Sequence, residues 1–538
     1  MPASRFSGPS GGWRRAVFGI VAALFLAGAA TAADVDPLVE AGRRIYVDGI
    51  LPDGTPLKAI RFDGVSTAAG AEAACVNCHR PSGYGSIEGR ILVPPVAGAV
   101  LFAPGVFAPA AGGRPAPVRA IERFRTRSAY DEQKLQRALR EGIDPDGKPL
   151  QPLMARYDLD ASAVKALAAY LRWLSAGPAP GVAGETLHLG TVITPDVPPQ
   201  QREALLEVLR AYAAMRKWQL HVWQLTGAPR EWDAQLDEHY RRQPVFALLS
   251  GAGAAEWQPV HRFCERHAVA CVLPSVELAP DAGRDSHSLY FSSGLSLEAQ
   301  LLAHELAAGA PPPRELFQVV EDDSGERAAR LLERALEQAG SRIAMRRLTS
   351  RQYAGMAPLP AQSAMVWWLR PEQIAGLIAA APGVPPSMQL YLSALLAPPE
   401  ELVIPDGWKR SLRYVSVYDP LSALRTQASL RPWLKRQGIP ETNLRLRADA
   451  YAACYFFNNA VTAMQLQAAR GISGPLGRER LIETLENELT LFRDDSAPYY
   501  WQLGSGPGQH LLVKGGMLLR HAGPGDAEWE ACTARIVP

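Results

Sequence analysis

From Glu185 onward the chain alternates short apolar runs with amphipathic helical stretches, and this alternation restricts it to a largely parallel-sheet architecture. Leu187–Ile193 precedes a helical pattern over Gln200–Met215, and Gln219–Gln224 precedes another over Glu231–Arg242. Val245–Ser250 is followed by Ala255–His267 and then by Cys271–Pro274. Further runs begin at Leu316–Val320, Met365–Leu369 and Gln389–Leu392. Parallel neighbours need a long crossover, which a helix packed on the sheet supplies in right-handed βαβ units. Continuous apolar runs, without in–out alternation, mark strands covered on both faces. About ten such strands exceed one compact sheet, so two α/β lobes are expected over 185–538.

Residues 34–176 have another texture, rich in Gly, Pro and Ala with few strand-like runs. A helical stretch over Asp36–Asp48 and a strongly periodic helix over Asp160–Ser175 bracket long irregular segments. Residues 177–184, Gly-Pro-Ala-Pro-Gly-Val-Ala-Gly, lack charge and periodicity and are expected as an interdomain linker. Residues 1–33 read as a signal peptide of the general secretory type. Arg14 and Arg15 are basic, Ala16 to Ala30 are apolar, and Ala30-Thr31-Ala32 offers small residues for cleavage. That places the protein in the periplasm, with no stable membrane span after cleavage, because the apolar run falls short of ~20 residues. The net charge of +2 shrinks further once Arg5, Arg14 and Arg15 leave with the signal. A balanced charge gives no electrostatic basis for a nucleic-acid partner.

Cys75-Val76-Asn77-Cys78-His79 has the spacing of covalent haem attachment. Two thiols add across the two porphyrin vinyl groups, and the adjacent histidine is thereby placed over the iron. One haem c is expected, held by Cys75 and Cys78 and ligated by His79. Cys-x-x-Cys alone also suits a redox disulfide or half a zinc site, but the following His and the export signal favour haem. Between residues 2 and 187, His79 is the sole histidine and Met154 the sole methionine. Met154, in the irregular stretch Leu150–Tyr157, is therefore the expected sixth ligand. His/Met coordination raises the potential and leaves no open iron position, so catalytic activity is not expected.

With these residues in view, 34–176 resembles a class I cytochrome c domain, which implies an all-α fold with crossed first and last helices. Val93-Pro94-Pro95-Val96-Ala97-Gly98 matches the family's proline loop, and the resemblance implies Pro95 as acceptor of the His79 ring N–H. Gly42, Tyr170 and Trp173 are placed for the helix crossing, with Asp160 as N-cap of the last helix. Ala155 stands where the family often has Pro after the ligand Met.

Residues 185–538 resemble the type I periplasmic binding proteins, the group containing branched-chain amino-acid receptors. The matching segments are Leu187–Ile193, Val245–Gly253, Cys271–Ser275, Leu316–Asp323 followed by Gly325, and Arg413–Tyr418. The resemblance implies a two-lobed α/β domain closing on a small molecule. Candidate cleft residues are Ser250, Gly251, Glu277 and Ser292, with Ser293 beside the last. Gly or Ala fills the hydroxyl position expected in Ser250–Ala255, so amino-acid specificity is not carried over. Trp367 and Trp368 are expected in the core. In an oxidising compartment Cys264, Cys271, Cys454 and Cys532 suggest two disulfides, Cys264–Cys271 and Cys454–Cys532; Cys454 also suits a buried free thiol.

Two functional readings follow. One is a periplasmic mono-haem electron carrier whose solute-binding-like module senses a ligand or docks a partner. Family habit suggests a quinoprotein dehydrogenase as electron donor and another cytochrome or an oxidase as acceptor. The alternative is an ABC-type solute-binding receptor with an appended cytochrome c domain.

Overall fold

The computed structural model describes residues 36–61, 64–85, 87–88, 91–107, 125–254, 256–281, 287–309, 312–355, 360, 362–380, 388–470, 473–491, 509–523 and 529–538. The expected signal peptide, residues 1–33, lies outside the described residues. The chain divides into two compact units, one of residues up to Cys78 with Arg127–Leu174, the other of His79–Thr126 with Ser175–Pro538. Residues 79–126 thus group with the larger unit rather than with the rest of 34–176.

In the smaller unit, α1 (Pro37–Arg43) starts with the Asp36 carboxylate accepting from Leu38 N–H at 2.8 Å and runs into a π-type turn over Arg44–Asp48. Then come β1 (Lys58–Ile60), β2 (Thr67–Ala69) and the four-residue helix α2 (Val76–His79), whose last residue is grouped with the larger unit. After residue 127 follow α3 (Glu132–Glu141), β3 (Arg156–Tyr157) and α4 (Ala161–Trp173). Asp160 caps α4, accepting from Ala163 N–H at 2.7 Å.

Packing of α1 on α4 turns on Gly42: a Cβ there would lie 2.0 Å from the Ala166 carbonyl oxygen and 2.7 Å from Tyr170 Cβ. Only a hydrogen lets the two backbones approach so closely. Tyr170 extends the contact, 5.4 Å from the Tyr46 ring and stacked at 5.8 Å on Trp173.

The unit is not all-helical, contrary to expectation. Its strands form a three-stranded antiparallel sheet in the order β2-β1-β3. Each three-residue strand buries only its central alanine, Ala59 or Ala68. A pattern that short does not stand out in Gly- and Ala-rich sequence.

The larger unit is built on two sheets. In the first lobe, β4 (Thr186–Ile193) pairs in parallel with β5 (Trp218–Gln224) on one side. On its other side run β6 (Ala247–Leu249) and β7 (Ala252–Gly253), two halves of one strand broken at Ser250-Gly251. Next come β8 (Ala270–Val272) and β9 (Ser275–Val276), broken at Leu273, and β10 (Ser288–Leu289) at the edge. Helices α5 (Pro199–Ala214), α6 (Trp232–Arg242) and α7 (Gln258–Arg266) make the crossovers. Ser250 and Leu273 have φ of 54° and 52°, so the two breaks fall side by side, joined by Ser250 N–H donating to the Val272 carbonyl at 2.8 Å.

Helix α8 (Leu295–Ala308) leads to the second lobe. Its sheet has the order β12 (Ala344–Leu348), β11 (Glu315–Val320), β13 (Ser363–Trp368), β14 (Gln389–Ser393), β15 (Leu412–Ser416), all parallel. Helices α9 (Asp323–Gln338) and α10 (Pro371–Ala380) lie between its strands in sequence. Beyond α11 (Pro420–Gln437) the chain returns to the first lobe, where α12 (Leu444–Ala469) packs on α5 and α13 (Arg478–Leu491) packs on α12 and β8. Leu511 bridges to Tyr290, and β16 (Met517–His521) and β17 (Trp529–Ala531) close the second sheet antiparallel.

The two lobes expected from strand–helix alternation are thus present. Trp367 and Trp368 are fully buried, Trp368 donating its indole N–H to Gln318 at 2.9 Å. The expected linker is tied down: Val182–Ala183 pairs antiparallel with Thr186–Leu187, and the Arg478 guanidinium donates to the carbonyls of Pro180, Val245, Phe246 and His267 and to the Tyr240 hydroxyl. No described helix is long and apolar enough to cross a membrane.

Candidate functional site

The Cys75–His79 motif is carried by α2 and the residue before it. Asn77 fastens the start of this turn, donating its side-chain N–H to the Ala71 carbonyl at 2.8 Å. Burial pushes the Cys75 thiol up to about 12, with Cys78 adding to the shift. In the same unit, burial first and then the two thiols raise the Tyr157 phenol, which places that ring beside the cysteines. Met154 closes a turn in which its N–H donates to the Gln151 carbonyl at 3.0 Å, and it is half-buried.

His79 is buried, which lowers its pKa, and its Nδ1 lies 2.9 Å from the Pro94 carbonyl oxygen. The expected acceptor was Pro95; the structure gives it to Pro94 instead. The two prolines are neighbours, and it is the Pro94 carbonyl that faces the imidazole. A carbonyl can only accept, so this contact puts the proton on Nδ1 and leaves the Nε2 lone pair available. Two thiols followed directly by a histidine are the residue types that covalent haem attachment uses.

The second candidate site is the cleft of the larger unit. It encloses about 1000 Å³ at the carboxyl ends of both parallel sheets, where open α/β sheets place their ligands. Of the expected residues, Glu277 and Ser292 line it. Ser250 and Gly251 do not. Ser250 is buried inside the kinked strand, and a Cβ on Gly251 would lie 2.8 Å from the Val192 carbonyl oxygen. The apolar run continues through Gly253 instead of ending at Ser250, so the turn toward the cleft comes later. Ser293 faces a separate hollow.

Side chains from the two lobes meet across the cleft. Arg370, just after β13, makes a two-point contact with Glu277, just after β9, one leg measuring 3.0 Å. Its Nε donates to Asp322 at 3.0 Å, and Ser324 Oγ donates to the same Glu277 carboxylate at 2.6 Å. Arg327 reaches Glu256 at 3.2 Å. Burial would depress Arg370, but Glu277 and Asp322 outweigh it and hold the guanidinium firmly charged. Deeper in, Arg445 donates to the Ala394 carbonyl at 2.6 Å and lies 4.4 Å from the Tyr418 ring centre, while Ser275 Oγ donates to Asp449 at 3.3 Å. The seam between the lobes is polar, and Arg327, Arg370 and Arg445 of its lining each have a protein acceptor.

Arg370, Asp322, Ser324, Arg327, Glu256, Arg445 and Asp449 were not singled out in the sequence. The available signal was position: Asp322 and Arg370 directly follow apolar strand runs.

The cysteines differ from expectation, since no described cysteine is in a disulfide. Cys264 and Cys271 are buried thiols hydrogen-bonded to each other. Cys454 lies near Tyr212 and Tyr451, whereas the Cys532 thiol turns to the Leu518 carbonyl at 3.3 Å. The Cys454–Cys532 pair inferred by elimination is therefore not formed, because the two thiols have different surroundings.

No family model and no curated protein matches this chain. Among solved structures it is similar to a fatty acid ABC transporter substrate-binding protein from Thermomonospora curvata, with 15% identity over 67% of this chain and 95% of that one and a TM-score of 0.48. It is also similar to a possible leucine/isoleucine/valine-binding protein from Rhodopirellula baltica (14% identity, 66% and 98% covered, TM-score 0.48). A third is a substrate-binding periplasmic protein from Ralstonia solanacearum (15% identity, 64% and 100% covered, TM-score 0.48). The two-lobed arrangement of this chain rests on its own sheets and crossovers.

Proposed function

We propose that the larger unit is a solute receptor that closes on a small molecule, and that the chain also carries one covalent haem c. The receptor reading rests on one observation: a cleft of about 1000 Å³ bridged by Glu277 of one lobe and Arg370, Asp322 and Ser324 of the other. An entering solute exchanges these internal contacts for its own, and the difference sets its affinity. A thermal-shift screen of the full chain against small acids, alcohols, amines and amino acids tests this. A saturable hit lost in Arg370→Met supports the reading; no hit across the panel overturns it.

The electron-carrier reading is favoured by a separate observation, the His79 ring held through Nδ1 by Pro94. Cys75 and Cys78 would bind the porphyrin, and His79 and Met154 would be the donors to its iron. The group would supply a reversible one-electron couple when bound; the chain orients the imidazole through the Pro94 carbonyl. Redox partner proteins, such as a quinoprotein dehydrogenase as donor and a cytochrome or oxidase as acceptor, belong to this reading, as does a periplasmic location. Mass spectrometry of the mature protein that shows no added porphyrin overturns it.

A further inference from the structure

The loop that follows the haem motif is held by charges the haem reading does not use. Arg80, with φ of 66°, forms an ion pair with Glu486 of α13. Ser82 N–H donates to Glu483 at 2.9 Å, and Ser82 Oγ donates to the other oxygen of the same carboxylate. Ser82 and Glu483 are 5% and 7% exposed, so this carboxylate has left water and accepts its replacement bonds from one residue of the loop. Tyr84 completes the attachment. Its hydroxyl accepts from Gly474 N–H at 2.7 Å, and the Arg480 guanidinium stacks 4.2 Å from its ring centre. The fit at Gly474 leaves no room for a side chain, since a Cβ would lie 2.9 Å from the Tyr84 hydroxyl and 3.2 Å from Ala99 Cβ.

The loop's other side faces the proline segment. Gly85 N–H donates to the His79 carbonyl at 3.0 Å, and the Gly83 carbonyl accepts from Val96 N–H at 2.7 Å and Ala97 N–H at 3.0 Å. The same segment supplies the Pro94 carbonyl that orients the His79 ring. The geometry of that ring is thus set by two surfaces, the Val93–Ala97 segment and α13, with Arg80–Gly85 clamped between them.

We propose that Glu483 of α13 is a positioning residue for the haem ligand His79, acting through Ser82 and the loop Arg80–Gly85. The proposal rests on the haem reading. It implies that the receptor unit, rather than the motif alone, fixes the orientation of the proximal imidazole.

The test uses the full-length holoprotein and the variants Glu483→Ala and Glu483→Gln. Haem content is measured first, by mass and absorbance, so failure of attachment in the parent is seen separately from failure of the proposal. Hydrogen exchange of peptides covering residues 80–85 reports the anchor without reference to redox state. Glu483→Ala is expected to speed exchange there by on the order of tenfold and to change the ferric/ferrous equilibrium by on the order of tenfold, about 59 mV for one electron. Glu483→Gln keeps an acceptor for Ser82 N–H and should restore most of both. A Glu483→Ala protein with lowered melting temperature but parental potential and parental haem spectrum would overturn the assignment. So would equal potentials in all three proteins. If Glu483→Ala does not fold, Ser82→Ala, which removes only the hydroxyl bond, carries the same comparison.

Discussion

Replacing Glu298 by Gln should make the lobed unit more stable at alkaline pH and unchanged at acidic pH. Glu298 sits on α8 with no exposure to solvent, yet it accepts from Leu395 N–H at 3.0 Å and from Ser393 Oγ, both at the end of β14 in the second lobe. Burial raises its carboxyl from 4.5 to about 8, with Ser393 and Arg445 opposing. A folded-state pKa above the unfolded value means the folded protein holds the proton more tightly. The stabilisation is complete below about pH 4.5 and is lost as pH rises toward about 8. At 1.36 kcal/mol per unit the loss is on the order of 5 kcal/mol. Gln has the shape of the protonated acid and cannot ionise, so the variant lacks this slope. Urea unfolding followed by tryptophan fluorescence should give similar midpoints for parent and variant near pH 5 and a higher midpoint for the variant near pH 8.5. Midpoints that fall in parallel with pH would refute the reasoning, because the slope would then belong to other groups.

Other outcomes follow from close contacts described above. Gly42→Ala drives a methyl into the Ala166 carbonyl and should destabilise the smaller unit by about 3 kcal/mol, seen as an early transition in thermal melting while the larger unit melts normally. Arg370→Met removes the guanidinium from Glu277 and Asp322; the lobes should open, and solution scattering of the full chain should show a larger radius of gyration. Under the haem reading, Met154→Ala vacates an axial position. The reduced holoprotein should then bind carbon monoxide, which the parent does not, as checked by absorbance.

The strand runs and the number of lobes were legible because they depend on local period. Leu187–Ile193 and Leu316–Val320 are continuous apolar runs, and a run covered by helices on both faces reads the same in any tertiary context. The crossing glycine was legible only through the family resemblance, which placed Gly42 and Tyr170 where the first and last helices meet. The cleft was legible only in part. Glu277 follows a recognisable strand, but its partner Arg370 is 93 residues away, and no local pattern announces a pairing across two lobes. Ser250 misled because a positive-φ kink interrupts its strand without ending it, so the residue that looked terminal is interior. Choosing Pro95 over Pro94 failed on a finer scale: which of two successive carbonyls faces a ring is a matter of backbone rotation, which sequence does not record.

The return of α12 and α13 to the first lobe has a consequence for how the chain matures. Strands β4 to β10 are made early, but the helices that cover part of their sheet are not made until residues 444–491 have emerged, and the Tyr290 partner Leu511 comes later still. Until then Phe246, Val272 and neighbours lack the Phe457 and Leu485 side of their shared core. The amino-terminal lobe therefore waits on the carboxyl-terminal third. A ribosome-stalled or proteolysed fragment ending near residue 440 would expose a sticky half-built sheet, a natural target for chaperones and quality-control proteases.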